Sequence, residues 1–241
     1  MYWLLGAVTL YGLGLTGGRA GRRFIHAGLL VHGIFIVKRA ALLGRLPITE
    51  RLDILSAISF LLIVSLLISK RKQALPVPAL ERYLLPLSSV FALSAVFYEP
   101  INTISQNMQT PWFYMHTGFN ILSFVLLGTG ASMEALYLKS GEEPLYESRH
   151  RLTLWGWTAL SLSLISGSIW FFLAYGSYWQ WTATELWGSL VWFYYGIYLH
   201  SGQVKGLRGW PSAAIGSFGY LLLLFSYFGV GALIPSPWTQ F

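Results

Sequence analysis

Apolar residues in this chain fall into long unbroken blocks instead of alternating with polar ones. Eight blocks stand out, at about 2–17, 24–44, 53–69, 80–98, 112–138, 154–175, 186–202 and 213–234. Several approach or exceed the ~20 residues that an α-helix needs to cross the hydrocarbon layer. Turn formers punctuate the pattern: Pro47, Pro76, Pro78, Pro100, Pro111, Pro144, Pro211 and Pro235 lie in or beside the breaks, where a residue without a backbone N–H is tolerated. Pro86 is the exception, inside the fourth block, where it can kink a helix. A membrane β-barrel would show short alternating segments, which these are not. The pattern predicts an all-α fold, a polytopic transmembrane bundle of about eight helices forming a single integral membrane domain over 1–241. The first block begins at Tyr2 without a basic stretch before it or a small-residue cleavage site after it, so it is expected to be retained.

Composition agrees. Of 241 residues, 55% are hydrophobic and only 10% charged, and the mean hydropathy is +0.56, which excludes an ordinary soluble domain. The net charge of +7 does not point to nucleic acid, because the basic residues sit between apolar blocks instead of forming one patch with interleaved aromatics. They orient the bundle, since positive charge marks cytoplasmic connections. Arg19, Arg22 and Arg23; Lys70, Arg71, Lys72 and Arg82; Lys139, Arg149 and Arg151; and Lys205 and Arg208 fall in alternate connections, all expected inside. The connections 99–112 and 175–185 and the tail after Leu233 contain no Lys or Arg and are expected outside, with both termini. Lys38, Arg39, Arg45 and Arg51 conflict with this alternation, offset partly by Glu50 and Asp53. The expected location is the cell inner (plasma) membrane, multi-pass in the lipid bilayer. There is no cysteine, so thiol chemistry has to come from a partner.

Candidate chemistry concentrates in GSYWQWTATELW, Gly176–Trp187, an extracytoplasmic loop by the charge argument. Tryptophan is enriched at membrane interfaces, and that belt reading serves for Trp3, Trp112, Trp155, Trp157, Trp210 and Trp238. Tyr178, Trp179 and Trp181, ahead of a helix carrying Trp187 and Trp192, are dense enough to line a platform for a planar macrocycle such as haem. Imidazole is a common axial ligand for haem iron, and ionisable groups within membranes tend to be functional. His116 is expected at the level of this loop, and His200 ~24 Å below it at ~1.5 Å per residue. His26 and His32 point ~120° apart on one helix, so only one is expected to face a given site. His150, in ESRHR, reads as solvated. Each intramembrane histidine can instead be an interhelical hydrogen bond, with Ser161, Ser163 or Ser166 as partners. Glu185 either stabilises a helix macrodipole or orients a ligand.

The run ISGSIWFFLAYGSYWQWTATELWGSLVWFYYGIYLH resembles the signature of the CcsA/ResC-type haem-handling proteins of cytochrome c biogenesis, whose loop reads like G-x-Y-W-x-W-D-P-K-E-x-W ahead of a helix ending near a histidine. LLVHGIFIVKR, GRLPITERLDILSAISFLLIV and WFYMHTGFNILSFVLLGTGA fit in the same order. The resemblance implies a protein that binds non-covalent b-type haem, carries it outward and presents it to apocytochrome c for thioether formation, as part of a haem lyase (cytochrome c synthase) complex with a CcsB-like membrane partner. By position, His32 and His200 are the implied intramembrane iron ligands, with His26 in reserve. His116 is the implied external ligand, and Trp179, Trp181, Glu185 and Trp187 fall in the signature. Thr182 stands where the family has aspartate, Ala183-Thr184 replaces Pro-Lys, and GVGALIPSPW carries no histidine where a second external ligand is expected. A non-catalytic HemX-like regulator of haem synthesis and a structural accessory subunit of a respiratory membrane complex are the alternative readings.

Overall fold

A computed structural model describes residues 2–71, 77–98, 106–141, 145–204 and 206–233. Lys72, Pro76, Pro100, Pro144, Lys205, Pro235, Trp238, the stretch 99–105 and the tail after Leu233 lie outside the described residues. The described chain is helical throughout: α1 (Tyr2–Gly14), α2 (Gly18–Leu43), α3 (Arg51–Arg71), α4 (Val77–Val96), α5 (Pro111–Ser140), α6 (Leu145–Tyr175), α7 (Ala183–Ser201) and α8 (Trp210–Leu224). After α8 the helix widens into a π-helical segment, Phe225–Gly229, and ends in α9 (Val230–Leu233). These elements follow the eight apolar blocks. Among the described residues six helices are long and apolar enough to cross a membrane, so the protein is a multi-pass membrane protein. α4 runs through Pro86, and α6 begins at Leu145, about two turns before its apolar block.

The chain divides into two compact units, Met1–Gln109 and Thr110–Phe241. In the first, α1 packs on α2 and α4, and α3 on α4 and α2. Gly28 lets α1 and α2 approach: a Cβ there would stand 2.7 Å from the Tyr11 ring. The Ser59 and Ser88 hydroxyls join α3 to α4 at 2.9 Å, the kind of small-residue polar contact that holds helices together in lipid. At the α2–α3 junction the four conflicting cations all have partners. Arg39 grips Asp53 through Nε and an NH2 group, both at 2.9 Å, and also reaches Glu50, which in turn pairs with Arg45. Lys38 lies over the Trp3 ring at 4.6 Å and Arg51 over Tyr98 at 5.5 Å.

In the second unit α5 is the most buried span. It pairs along its length with α6 and also packs on α8, while α7 bridges α6 and α8. Trp157 departs from the belt expected of it. Its ring stacks on Trp192 at 5.2 Å between α6 and α7, its N–H donates to the Trp192 carbonyl, and the Trp192 N–H donates to Ser161. Both indoles are used for packing two helices because each buries a large apolar face and finds an acceptor for its one donor.

Candidate functional site

α5 starts cleanly because Pro111 supplies a preset helical φ and Thr110 caps the end, accepting from the Phe113 N–H. That start puts His116 in the second turn, against α6. Its Nδ1 lies 2.8 Å from the Ser163 carbonyl oxygen. A carbonyl only accepts, so Nδ1 carries the proton and Nε2 keeps its lone pair. The Ser163 hydroxyl donates to the His116 carbonyl at 3.0 Å, and the imidazole lies nearly parallel to Trp170, 12° between planes. Gly167 makes room: a Cβ there would meet Nδ1 at 2.5 Å. Among the described residues Nε2 of His116 has no partner. An imidazole with one N–H held by a carbonyl and the other nitrogen free is the arrangement that metal ligands use.

The aromatic loop folds back to the same part of α6. Ser168 donates to the Tyr178 carbonyl at 3.0 Å, and the Tyr178 ring stacks on Phe172 at 4.3 Å. His116 and the loop therefore share a level, Gly167 and Ser168 being neighbours. The rings do not form one continuous platform: Trp179 meets Trp181 edge-on at 86°, and Trp187 turns to Phe225. Trp181 is 74% exposed and sits at φ 58°, a left-handed conformation that costs a non-glycine residue of order 1–3 kcal/mol. Glu185 holds it there. Its carboxylate accepts from the backbone N–H groups of Gln180 and Thr182 and from the Thr182 hydroxyl, while the Thr182 side chain accepts from the Glu185 N–H. This is a capping box at the start of α7, extended backwards to clamp Gln180 and hence the residue between.

His200 stands at the far end of α7, exposed, its Nδ1–H donating to the Gly196 carbonyl at 2.7 Å. Trp157 and Trp192 set the level of α6 against α7. Ten residues of α6 one way and eight of α7 the other separate His116 from His200 by roughly 27 Å along the helices at 1.5 Å per residue. His26 repeats the pattern, donating from Nδ1 to the Arg22 carbonyl at 2.7 Å. His32 differs. It is fully buried, with Tyr11 Oη 3.1 Å from Nδ1 and Ser56 Oγ 2.9 Å from Nε2, so both ring nitrogens are engaged between α1, α2 and α3. His116, His200 and His26 thus each have one ring nitrogen engaged, whereas both ring nitrogens of His32 are engaged. Among the described residues no three metal-binding side chains cluster.

A buried ion pair joins α5 to α6. Arg149, whose position in the sequence predicts an inner-face charge, is wholly buried because α6 starts early. It ion-pairs with Glu134 of α5, which also accepts from the Tyr198 hydroxyl of α7, and its guanidinium lies 4.1 Å from the Tyr137 ring. A charge buried in such surroundings persists only when paired. The cluster fixes the rotation of α7, turning Tyr198, Leu199 and Ser201 inward and His200 outward. Glu134, one acid within LLGTGASMEALYL, was the available signal.

Comparison with known proteins follows the same lines. Residues 50–236 match the model of the family described as Cytochrome C assembly protein. Relatives named Cytochrome c biogenesis protein CcsA include those of Chlamydomonas reinhardtii, 32% identical over 52% of this chain and 39% of the relative, and of Atropa belladonna, 36% identical over 50% of this chain and 40% of the relative. That of Nicotiana tomentosiformis is 28% identical over 65% of this chain and 67% of the relative. The chain therefore spans between about two-fifths and two-thirds of these relatives' length.

Proposed function

The chain belongs to the cytochrome c assembly protein family, and on that premise we propose that it handles haem for cytochrome c biogenesis. It binds non-covalent b-type haem at an inner ligand, passes it outward, and presents it beside the aromatic loop for attachment to apocytochrome c, in company with a CcsB-like membrane partner. The observation that carries this reading is His116, whose Nδ1–H is fixed by Ser163 and whose Nε2 is free at the level of the loop. His200 is the inner ligand, with Nε2 open and ~27 Å distant along the bundle. His32, which the resemblance pairs with it, joins the ligand set only by giving up Tyr11 or Ser56.

The chemistry left to this chain is positioning. Attachment adds each cysteine S–H of the apocytochrome across a haem vinyl group: a C–S bond forms and the thiol hydrogen passes to the other vinyl carbon. This sequence has no cysteine that would compete for those vinyl groups. Exposed Trp181 offers its ring to an apolar macrocycle, and Tyr178, stacked on Phe172, the open face of its own; the clamp at Glu185 holds the backbone on either side of Trp181.

A dithionite difference spectrum and a pyridine haemochrome assay of the gently purified protein test this directly. A b-type spectrum lost in part by His116→Ala and in part by His200→Ala is expected; a colourless preparation from iron-replete cells refutes the proposal. Haem bound without support of cytochrome c maturation in a host lacking its own pathway assigns the HemX-like regulatory reading instead.

A further inference from the structure

Three tyrosines of α7 satisfy their hydroxyls differently. Tyr194 donates to the Ile215 carbonyl of α8 at 2.9 Å, and Tyr198 donates to Glu134 of α5. Tyr195, one turn before Tyr198, is 1% exposed, yet among the described residues its hydroxyl has no hydrogen-bond partner. A hydroxyl left unpaired so far from solvent carries its full desolvation penalty. Its ring cannot swing the oxygen elsewhere. It stands at 89° to the Tyr194 ring and 81° to the Tyr198 ring, and a phenol oxygen moves only with its ring.

α8 offers no side chain to take the bond, because the residues it turns to these rings are glycines. A Cβ at Gly219 would stand 3.1 Å from Tyr195 Cζ, and one at Gly216 would stand 2.8 Å from Tyr198 Cε2 and 2.9 Å from Glu134 Oε1. Both glycines lie inside α8, where backbone N–H and C=O groups are spent in the helix ladder. The same stripe measures the gap. Three residues of α8 rise ~4.5 Å, so the phenol end of Tyr195 lies about one turn from the Glu134–Tyr198 bond. Two hydrogen bonds of ~2.8 Å, end to end, span that interval. The polar groups near enough to act electrostatically on the Tyr195 hydroxyl are Tyr220, Tyr198, Tyr194 and Glu134, which supply the two or more partners that a buried water needs. An ion suits the place less well, since Arg149 already pairs with the one carboxylate.

We propose that an internal water molecule is bound between Tyr195 Oη and the Glu134–Tyr198 pair, extending the ion pair into a buried hydrogen-bonded row, Arg149–Glu134–Tyr198–water–Tyr195. Glu134 lies six residues before the end of α5 and Arg149 four after the start of α6, ~9 Å and ~6 Å from those helix ends. The row therefore carries exchangeable protons from that end of the helices a further turn into the bundle. It gives the carboxylate a route for proton exchange through apolar surroundings, and it stands whether or not the chain binds haem.

The test uses the full chain in lipid nanodiscs, with Tyr195→Phe removing the one oxygen atom. Water is its own probe: infrared spectra of films freed of bulk water are recorded after equilibration in ordinary and in oxygen-18 water. The native chain is expected to show a narrow O–H band that shifts with oxygen-18. Tyr195→Phe should abolish that band and lower the thermal midpoint by about 2–4 °C, the size of one lost hydrogen bond. Tyr198→Phe should move the band by changing a partner of the water. Tyr194→Phe, which loses a direct bond to a carbonyl, should lower the midpoint and leave the band in place. An unchanged or raised midpoint in Tyr195→Phe, the result of deleting an unsatisfied hydroxyl, overturns the proposal. So does a lowered midpoint with no oxygen-18-sensitive band, or with a band that survives the substitution, either of which makes the partner of Tyr195 a protein group.

Discussion

His32 and His116 each hold an imidazole between helices, and the same resemblance casts both as iron ligands. Around His32 the neighbours are hydroxyls on either side, Tyr11 and Ser56, so the ring ties α1 to α3 through α2 and is sealed from solvent. Around His116 the neighbour is a carbonyl on one side only, supported by a glycine that clears space and an indole that sets the ring plane. The two differ less in depth than in what remains available. A histidine with two partners ties its helices together, whereas one with its N–H held by a carbonyl keeps the other nitrogen in the arrangement that metal ligands use.

Replacing His32 is the largest way to break this comparison. His32→Ala strands the Tyr11 and Ser56 hydroxyls and opens a cavity among Phe35, Phe60 and Tyr11, an expected loss of about 3 kcal/mol. It should lower the thermal unfolding midpoint in detergent while haem per folded protein stays unchanged. His116→Ala should do the reverse, removing the outer haem with little change in midpoint. If His32→Ala loses haem at an unchanged midpoint, His32 is a ligand and the contrast collapses.

Gly167→Ala sharpens the contrast without touching a ligand. The new methyl would drive the imidazole off the Ser163 carbonyl, an overpacking cost of about 1–3 kcal/mol. The outer haem is expected to weaken and to recover when free imidazole is added, as read from the reduced spectrum. Gly118→Ala, with open space at its Cβ, is the matched control and should be silent. Failure of imidazole to restore the spectrum would mean that Gly167 serves packing alone.

What the sequence disclosed, and what it hid, follows from the range of the forces involved. Apolar blocks report burial in lipid, a property summed over some twenty residues, and all eight reappear as helices. Signals carried by one or two residues were read less well. Arg149 reads as a surface charge because the block edge at 154 hides two further turns of α6, and only the buried partner Glu134 reveals its place. Trp157 reads as a belt residue until Trp192 comes across from α7. The tautomers of His116 and His32 depend on Ser163, Tyr11 and Ser56, at 21 or more positions' distance, and no local pattern encodes that.

Trp181→Gly should raise stability while impairing function. Glycine adopts φ 58° without a Cβ penalty, so relief of the left-handed strain is worth about 1 kcal/mol at the loop. The exposed indole is lost in the same change. Greater resistance of the α6–α7 connection to proteolysis, together with weaker outer haem binding, is the expected pair of results; a loop that becomes more labile would show that Trp181 packs its surroundings and is not held out for a ligand.

The smallest expected effect concerns Thr182, where the family's loop has aspartate. Thr182 is the N-cap of α7, accepting from Glu185 N–H while Glu185 reaches back to its own N–H. Aspartate caps a helix at least as well as threonine and adds a negative charge at the favourable end of the dipole, but beside Glu185 it also adds a like charge. These opposing terms should leave Thr182→Asp within about 0.5 kcal/mol of the native chain, whereas Thr182→Ala, which removes the acceptor, should cost about 1 kcal/mol. Thermal midpoints of the two variants decide the matter. Equal losses would mean that the cap is not what this position contributes, and that the difference from the family's loop lies in contact with the ligand.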